Sequence, residues 1–205
     1  QRTVPRIWLF AEALGLKALA DTSLEYRVTA AEKAWAKEQL GEDSRPTVAV
    51  QTHGSNPSRH ITAPRMQRVC AALGAKGYRV VTLGNYIPVG GWGSDLDLSG
   101  KTSIGEAGAI VDAADALLGM DSGLTHLANA LGKPTVVLYG PIDGTLRVTD
   151  QPRCRVLQGN EYVNCPPCND NRKAHCGPYP KCLEAIPIEV IVSAAEEAID
   201  ARHPR

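Results

Sequence analysis

Between residues 47 and 139 the chain alternates short apolar runs with helix-patterned segments, and this alternation restricts its fold more than any other feature. The runs Thr47–Gln51, Arg79–Leu83, Ala116–Met120 and Thr135–Tyr139 are rich in Val, Leu and Thr and almost free of charge. Short continuous apolar runs of this kind suit strands buried on both faces. The stretches near 64–76, 104–114 and 124–131 place apolar residues at helical spacing. Strands recurring with helices between them predict an α/β fold, a doubly wound parallel sheet with helices on both faces.

The remaining segments extend this core. Two helix-like stretches, 5–16 and 29–40, precede it, the second opening with the capping-box spacing Thr29-Ala-Ala-Glu32. Residues 1–45 are thus expected to form a helical connecting arm, and 46–205 the main domain. The chain opens at Gln1 within an ongoing helical pattern, so the expectation is that a preceding N-terminal domain is missing. After Gly140-Pro141 an irregular stretch runs to about 187, with strand character only at 155–158, and an amphipathic helix at 188–201 closes the domain. The 205 residues are 43% hydrophobic, enough for one core with appendages. Lys and Arg (22) balance Asp and Glu (22), which leaves no basic footprint for a nucleic-acid backbone. No apolar run approaches the roughly 18–20 residues of a membrane span, and no signal pattern opens the chain. A cytoplasmic protein without nucleic-acid partners is expected, and peripheral membrane association stays open.

The turn Asp121-Ser122-Gly123 carries the chemistry. It joins the apolar strand ending at Met120 to a helix, which in a parallel sheet places it at the carboxyl edge where ligands bind. The first amides of that helix have no intrahelical acceptor, and with the dipole they form a site for phosphate oxygens. Ser122 adds a hydroxyl, and Gly123 allows close approach to the backbone. Asp121 either caps the helix or accepts hydrogen bonds from sugar hydroxyls; beside phosphates its charge needs neutralising. His126 in the first turn is either a phosphate donor or a packing residue.

The stretch from Asp121 to Pro141, DSGLTHLANALGKPTVVLYGP, resembles the C-terminal signature of the family 9 glycosyltransferases, the ADP-heptose:lipopolysaccharide heptosyltransferases and their relatives. Gly100-Lys-Thr-Ser-Ile104, Val80-Val-Thr-Leu-Gly84 and the loop after Gln51 extend the similarity over about residues 45–200. The resemblance implies a Rossmann-like C-terminal half of a two-domain GT-B enzyme from a bacterium, which binds a nucleotide-diphosphate sugar. It implies that Ser122, Gly123 and Leu124 hold the diphosphate, with Asp121 and His126 near sugar and phosphate. Gly84 and Thr102 would border the base and ribose, and Gly54 and Ser55 join the donor-binding set. Where relatives carry a Lys followed two positions later by Trp, this chain has Arg59 and Ile61. Arg59 keeps the charge and adds a fork suited to phosphate; its other reading is a solvated loop charge. The loop 85–93 lacks the acidic residue that often meets the ribose, so phosphate recognition is better specified than base or sugar.

Cys165, Cys168, Cys176 and Cys182 cluster in the irregular region, within the Cys-rich loop 160–184, whereas Cys70 and Cys154 stand alone in apolar surroundings. Four thiolates at close spacing can form a tetrahedral site for zinc or iron, a structural site with no open coordination position. Disulfides or free thiols are the other uses, the former disfavoured in a cytosolic protein. The autotransporter heptosyltransferases of the same family hold iron with a similar cluster, and this resemblance implies a structural metal here.

Transfer from such a donor requires a base for the acceptor hydroxyl and stabilisation of the departing diphosphate. These residues supply the second requirement, without a catalytic metal. The catalytic base is unknown and, by the resemblance, belongs to the N-terminal domain. The acceptor is a glycan, a lipid-linked saccharide or a protein. A nucleotide-sugar epimerase of GT-B-like fold and a non-catalytic, metal-stapled interaction module are the alternatives.

Overall fold

The computed structural model describes residues 5–17, 19, 21–54, 56–148, 151–168, 176 and 179–201. Its centre is a six-stranded sheet with β1 (Thr47–Gln51), β2 (Arg79–Leu83), β3 (Leu96–Asp97), β4 (Ala116–Met120), β5 (Thr135–Tyr139) and β6 (Cys154–Gln158). Every pairing is parallel, and the order is β3-β2-β1-β4-β5-β6. Four strands have the bounds that their apolar runs predict, and β6 starts one residue earlier. The two-residue β3 has no apolar run to announce it; Leu96 and Asp97 extend the sheet by pairing with Val81 and Thr82.

Strand parity divides the core into two layers. Val48 and Val50, Leu118 and Met120, and Val136 and Leu138 face α3 (Ala63–Ala75) and α7 (Ile188–Asp200), where Met66, Val69, Leu73, Ile191 and Ala195 meet them. Ala49, Val81, Leu83 and Leu117 point the other way, onto Ala107, Ile110 and Val111 of α4 (Ile104–Ala113) and Ala128 of α5 (Gly123–Ala130). Each large aliphatic side chain removed from water in this way contributes about 2 kcal/mol.

The N-terminal segment holds α1 (Arg6–Ala13) and α2 (Ala30–Leu40). Thr29 and Glu32 form the capping box that their spacing predicts. From there α2 lies on α4, burying Ala36 in the second layer and pairing Lys33 with Asp112 at 3.4 Å. A short helix, α6 (Lys181–Ala185), which the sequence pattern does not reveal, packs Leu183 under β5 and precedes α7. Cys70 is buried, and burial pushes its thiol up to about 12; half-buried Cys154 is pushed up to about 11 by the same cause. Both are unreactive core thiols. Among the described residues no helix is long and apolar enough to cross a membrane.

The strand order reverses between β1 and β4, so the connections leaving these two strands diverge to opposite faces and open a crevice at their carboxyl ends. The loop after Gln51 and the turn after Met120 both empty into it.

Candidate functional site

A cavity of about 340 Å³ occupies this crevice. Gly54 from the loop after β1, Gly84 after β2, Thr102 before α4, and Gly123 and Leu124 at the start of α5 all line it, five of the residues singled out from sequence. Leu83, Ile104, Ala107 and Leu127 supply an apolar wall, and Gln51, His53, Asn85 and Ser103 supply polar groups. One flank is therefore suited to a flat apolar group, and the α5 end to an anion. Gly84 has no substitute: its φ is +144°, and a Cβ would lie 2.9 Å from Thr52 Oγ1.

The turn itself is tied to its neighbours. Thr125 Oγ1 donates to the Met120 carbonyl at 2.7 Å, and Ser122 Oγ donates to Gln51 Oε1 at 2.5 Å. Ser122 is the N-cap of α5 but makes no side-chain bond to the helix amides. A Cβ on Gly123 would meet nothing within 4 Å, so the backbone there is open to the cavity.

Asp121 does not cap α5. It is 5% exposed and paired with Arg59, whose Nε lies 3.3 Å from Asp121 Oδ2 and whose Nη1 donates to the Asp121 carbonyl at 3.1 Å. The geometry at Nε is too bent for a hydrogen bond, so the pair is held by charge and by the main-chain contact. In the sequence alone, Asp121 stands as an uncompensated carboxylate beside the phosphate site. Arg59, sixty-two residues earlier, compensates it, which makes it more than a solvated loop charge. The two side chains lie beside Tyr139 and Leu183 rather than in the main cavity.

His126 is half-buried in the first turn of α5 and lines neither space. Ser55 lies outside the described residues. Gln51 and His53 belong to no motif in the sequence, yet both line the cavity. Gln51 closes a strand whose other inward residues are apolar, and a polar residue that is 5% exposed at a strand's carboxyl end is the signal that identifies it. His53 stacks on Tyr86 at 5.0 Å, and its ring centroid lies 3.4 Å from that of His60. His60 Nε2 is 2.7 Å from the Gly54 carbonyl. Burial holds both imidazoles below the usual histidine range, and His53 depresses His60 further.

The four clustered cysteines line a separate cavity of about 240 Å³, together with Pro141, Asn164 and Lys181. Cys165, Cys168 and Cys176 are exposed and Cys182 is buried. Burial raises the Cys182 thiol to about 11, and Cys176 and Cys165 push in the same direction. Among the described residues, no three His, Cys, Asp or Glu side chains converge closely enough to hold a metal ion; the thiols share a cavity without meeting at a point. Residues 169–175, 177 and 178 of the Cys-rich loop lie outside the described residues.

The sequence family model described as glycosyltransferase family 9 (heptosyltransferase) matches residues 3–162. Lipopolysaccharide heptosyltransferase 2 of Escherichia coli K12 is 44% identical over 45 residues, which is 22% of this chain and 13% of that protein. The solved family 9 glycosyl transferase of Veillonella parvula superposes with a TM-score of 0.73 at 21% identity, over 97% of this chain and 61% of the other. The dodecameric iron-containing heptosyltransferase TibC of enterotoxigenic E. coli, solved with ADP-D-β-D-heptose, has a TM-score of 0.60 at 17% identity, over 79% of this chain and 47% of that one. The structural likenesses are likenesses of fold, and this chain spans about half the length of those solved chains.

Proposed function

This chain belongs to glycosyltransferase family 9, and from that premise we propose that it is the donor-binding half of a heptosyltransferase-like enzyme whose donor is a nucleotide-diphosphate sugar, ADP-heptose by kinship. One observation carries the reading: the uncapped amino end of α5 faces a cavity at the strand-order reversal, with Gly84, Thr102 and an apolar wall across from it. The diphosphate would lie on the first amides of α5, those of Gly123, Leu124 and Thr125, where dipole and unpaired N–H groups favour anions. The nucleoside would extend toward Gly84, Thr102 and Ile104.

Transfer breaks the bond from the anomeric carbon to the diphosphate oxygen, and that electron pair leaves with the diphosphate. Fixed amides aimed at the leaving group stabilise its growing charge. Arg59 neutralises Asp121, so the turn meets the phosphates without a bare carboxylate behind them. The base that takes the acceptor proton belongs to a separate, preceding domain, with residues 1–45 as the connecting arm. The acceptor is a glycan of the lipopolysaccharide core class, or another lipid-linked or protein acceptor, met by a bacterial cytoplasmic enzyme.

Cys165, Cys168, Cys176 and Cys182 would hold a structural iron or zinc ion. Four thiols around one cavity have the chemistry of a tetrahedral site, and their side chains would have to draw together to close it. A bound ion would staple the segment and would take no part in transfer.

Titration of the 15N-labelled chain with ADP, UDP, GDP and dTDP tests the donor reading. Shifts concentrated at Gly123, Leu124, Gly84 and Thr102, strongest with ADP, are expected; shifts confined to other elements overturn it. Gly123→Ala provides a second arm. Its methyl enters open space, so stability should stay within about 0.5 kcal/mol, while ADP affinity falls about tenfold because the methyl occupies the phosphate's approach.

A further inference from the structure

Ser122 stands where a helix-capping serine stands and does not cap. Its backbone is extended (φ −154°, ψ 170°), the conformation from which a serine oxygen ordinarily accepts the amide of the second or third helical residue. Elsewhere this chain uses that device in full: Thr29 on α2 and Ser103 on α4 each complete a capping box. At α5 the hydroxyl turns instead to Gln51 Oε1, 2.5 Å away. The amide orientation of Gln51 is fixed from its other end, where Nε2 donates to the His53 carbonyl at 2.8 Å. Gln51 is 5% exposed, and the position is crowded: a Cβ on Gly119 would come within 3.0 Å of Oε1. One buried amide thus joins the loop after β1 to the turn after β4 across the strand-order reversal.

We propose that Gln51 is a positioning residue that holds the Ser122 hydroxyl away from α5, leaving the amides of Leu124 and Thr125 uncapped for the donor diphosphate. The inference rests on the donor-binding reading given above. A capped helix would be locally more stable and would present fewer free donors to an anion. Gln51 therefore trades helix stability for phosphate affinity, and it does so through Ser122 rather than by touching the ligand's phosphates.

Three measurements on the whole 205-residue chain test this, with ADP as probe. First, Gln51→Leu removes the acceptor at similar volume. In the ligand-free protein Ser122 should then cap α5, and amide hydrogen exchange at Leu124 or Thr125 should slow at least about fivefold, the factor expected of a cap of ordinary strength. Second, ADP affinity should fall about tenfold by calorimetry in Gln51→Leu but less than twofold when the same change is made on Ser122→Ala, which has no hydroxyl to release. Third, Gln51→Glu retains an acceptor for Ser122 and should leave ligand-free exchange at Leu124 and Thr125 as in the parent, even should the Leu variant fold poorly. Unchanged exchange in a folded Gln51→Leu, slowed exchange in Gln51→Glu, or an equal affinity loss in both backgrounds overturns the proposal. Failure of the parent chain to bind ADP sinks the donor reading instead, and the ligand-free exchange still decides whether Gln51 keeps α5 uncapped.

Discussion

The turn after β4 and the cysteine-bearing segment after β6 are both irregular, but they are specified by different means. The first spans two residues between a fully buried strand and a helix. It is fixed by main-chain continuity, by Thr125 and Ser122 bonding to Met120 and Gln51, and by Arg59 against Asp121. In the second, three of four thiols are exposed around a cavity, and Cys182 is buried on α6. A sheet edge can thus preorganise a site with a few short bonds, whereas the proposed metal would be what staples the second region. The two regions meet at α6, where Glu184 accepts the Thr62 amide at 2.6 Å, at the end of the loop that carries Arg59.

The largest effect that would break this comparison comes from Arg59→Ala. Asp121 would remain 5% exposed with no cation beside it, and uncompensated buried carboxylates are costly. With Arg59 itself partly exposed, a loss of about 2–3 kcal/mol in urea unfolding is expected, with Arg59→Lys recovering part of it. A change under about 0.5 kcal/mol would mean that the turn holds its shape without the ion pair.

Next in size is the response of the second region to a metal. Zinc or iron(II), added under reducing conditions at about a hundred times its Kd, should stabilise the chain by about 2.7 kcal/mol, a rise of roughly 5–10 °C in Tm for a chain of this size. Cys165→Ser with Cys168→Ser should abolish the rise. ADP affinity should change less than about threefold if the regions are separately specified. A change above tenfold would join them into one unit through α6 and Glu184.

The same contrast explains how much was legible in the sequence. Val48, Val50, Leu118, Leu138 and their neighbours lie in strands buried on both faces, so their apolar runs state their position without help, and the order of strands and helices follows from chain logic. The turn at 121–123 was legible for the same reason, since a strand running directly into a helix marks a carboxyl edge. Arg59 facing Asp121 and Gln51 facing Ser122 are pairings across 62 and 71 residues, and no local pattern encodes them. For that reason the local sequence leaves Asp121 between capping the helix and accepting from sugar hydroxyls, with no sign of the ion pair. β3 and α6 are too short to show a period, and their places are set by what they pack against.

The smallest effect concerns His53 and His60, which lie between the two regions' scales of order. Their rings are 3.4 Å apart by centroid, and burial holds both below the usual histidine value, with His53 depressing His60 further. In the folded chain they stay neutral where the unfolded chain, with histidines near about 6.5, already binds protons. Proton uptake below that pH therefore favours the unfolded state, so this contribution to stability is complete above about pH 6.5 and is lost as pH falls from there toward the depressed folded values. Urea midpoints at pH 7.5 and 5.5 should show the decline. His60→Gln, whose amide can still donate to the Gly54 carbonyl, should make the decline shallower without lowering stability at pH 7.5. An unchanged pH dependence in His60→Gln would mean that protonation is taken up without cost there, and that the loop carrying Gly54 and Arg59 is less rigid than the turn it faces.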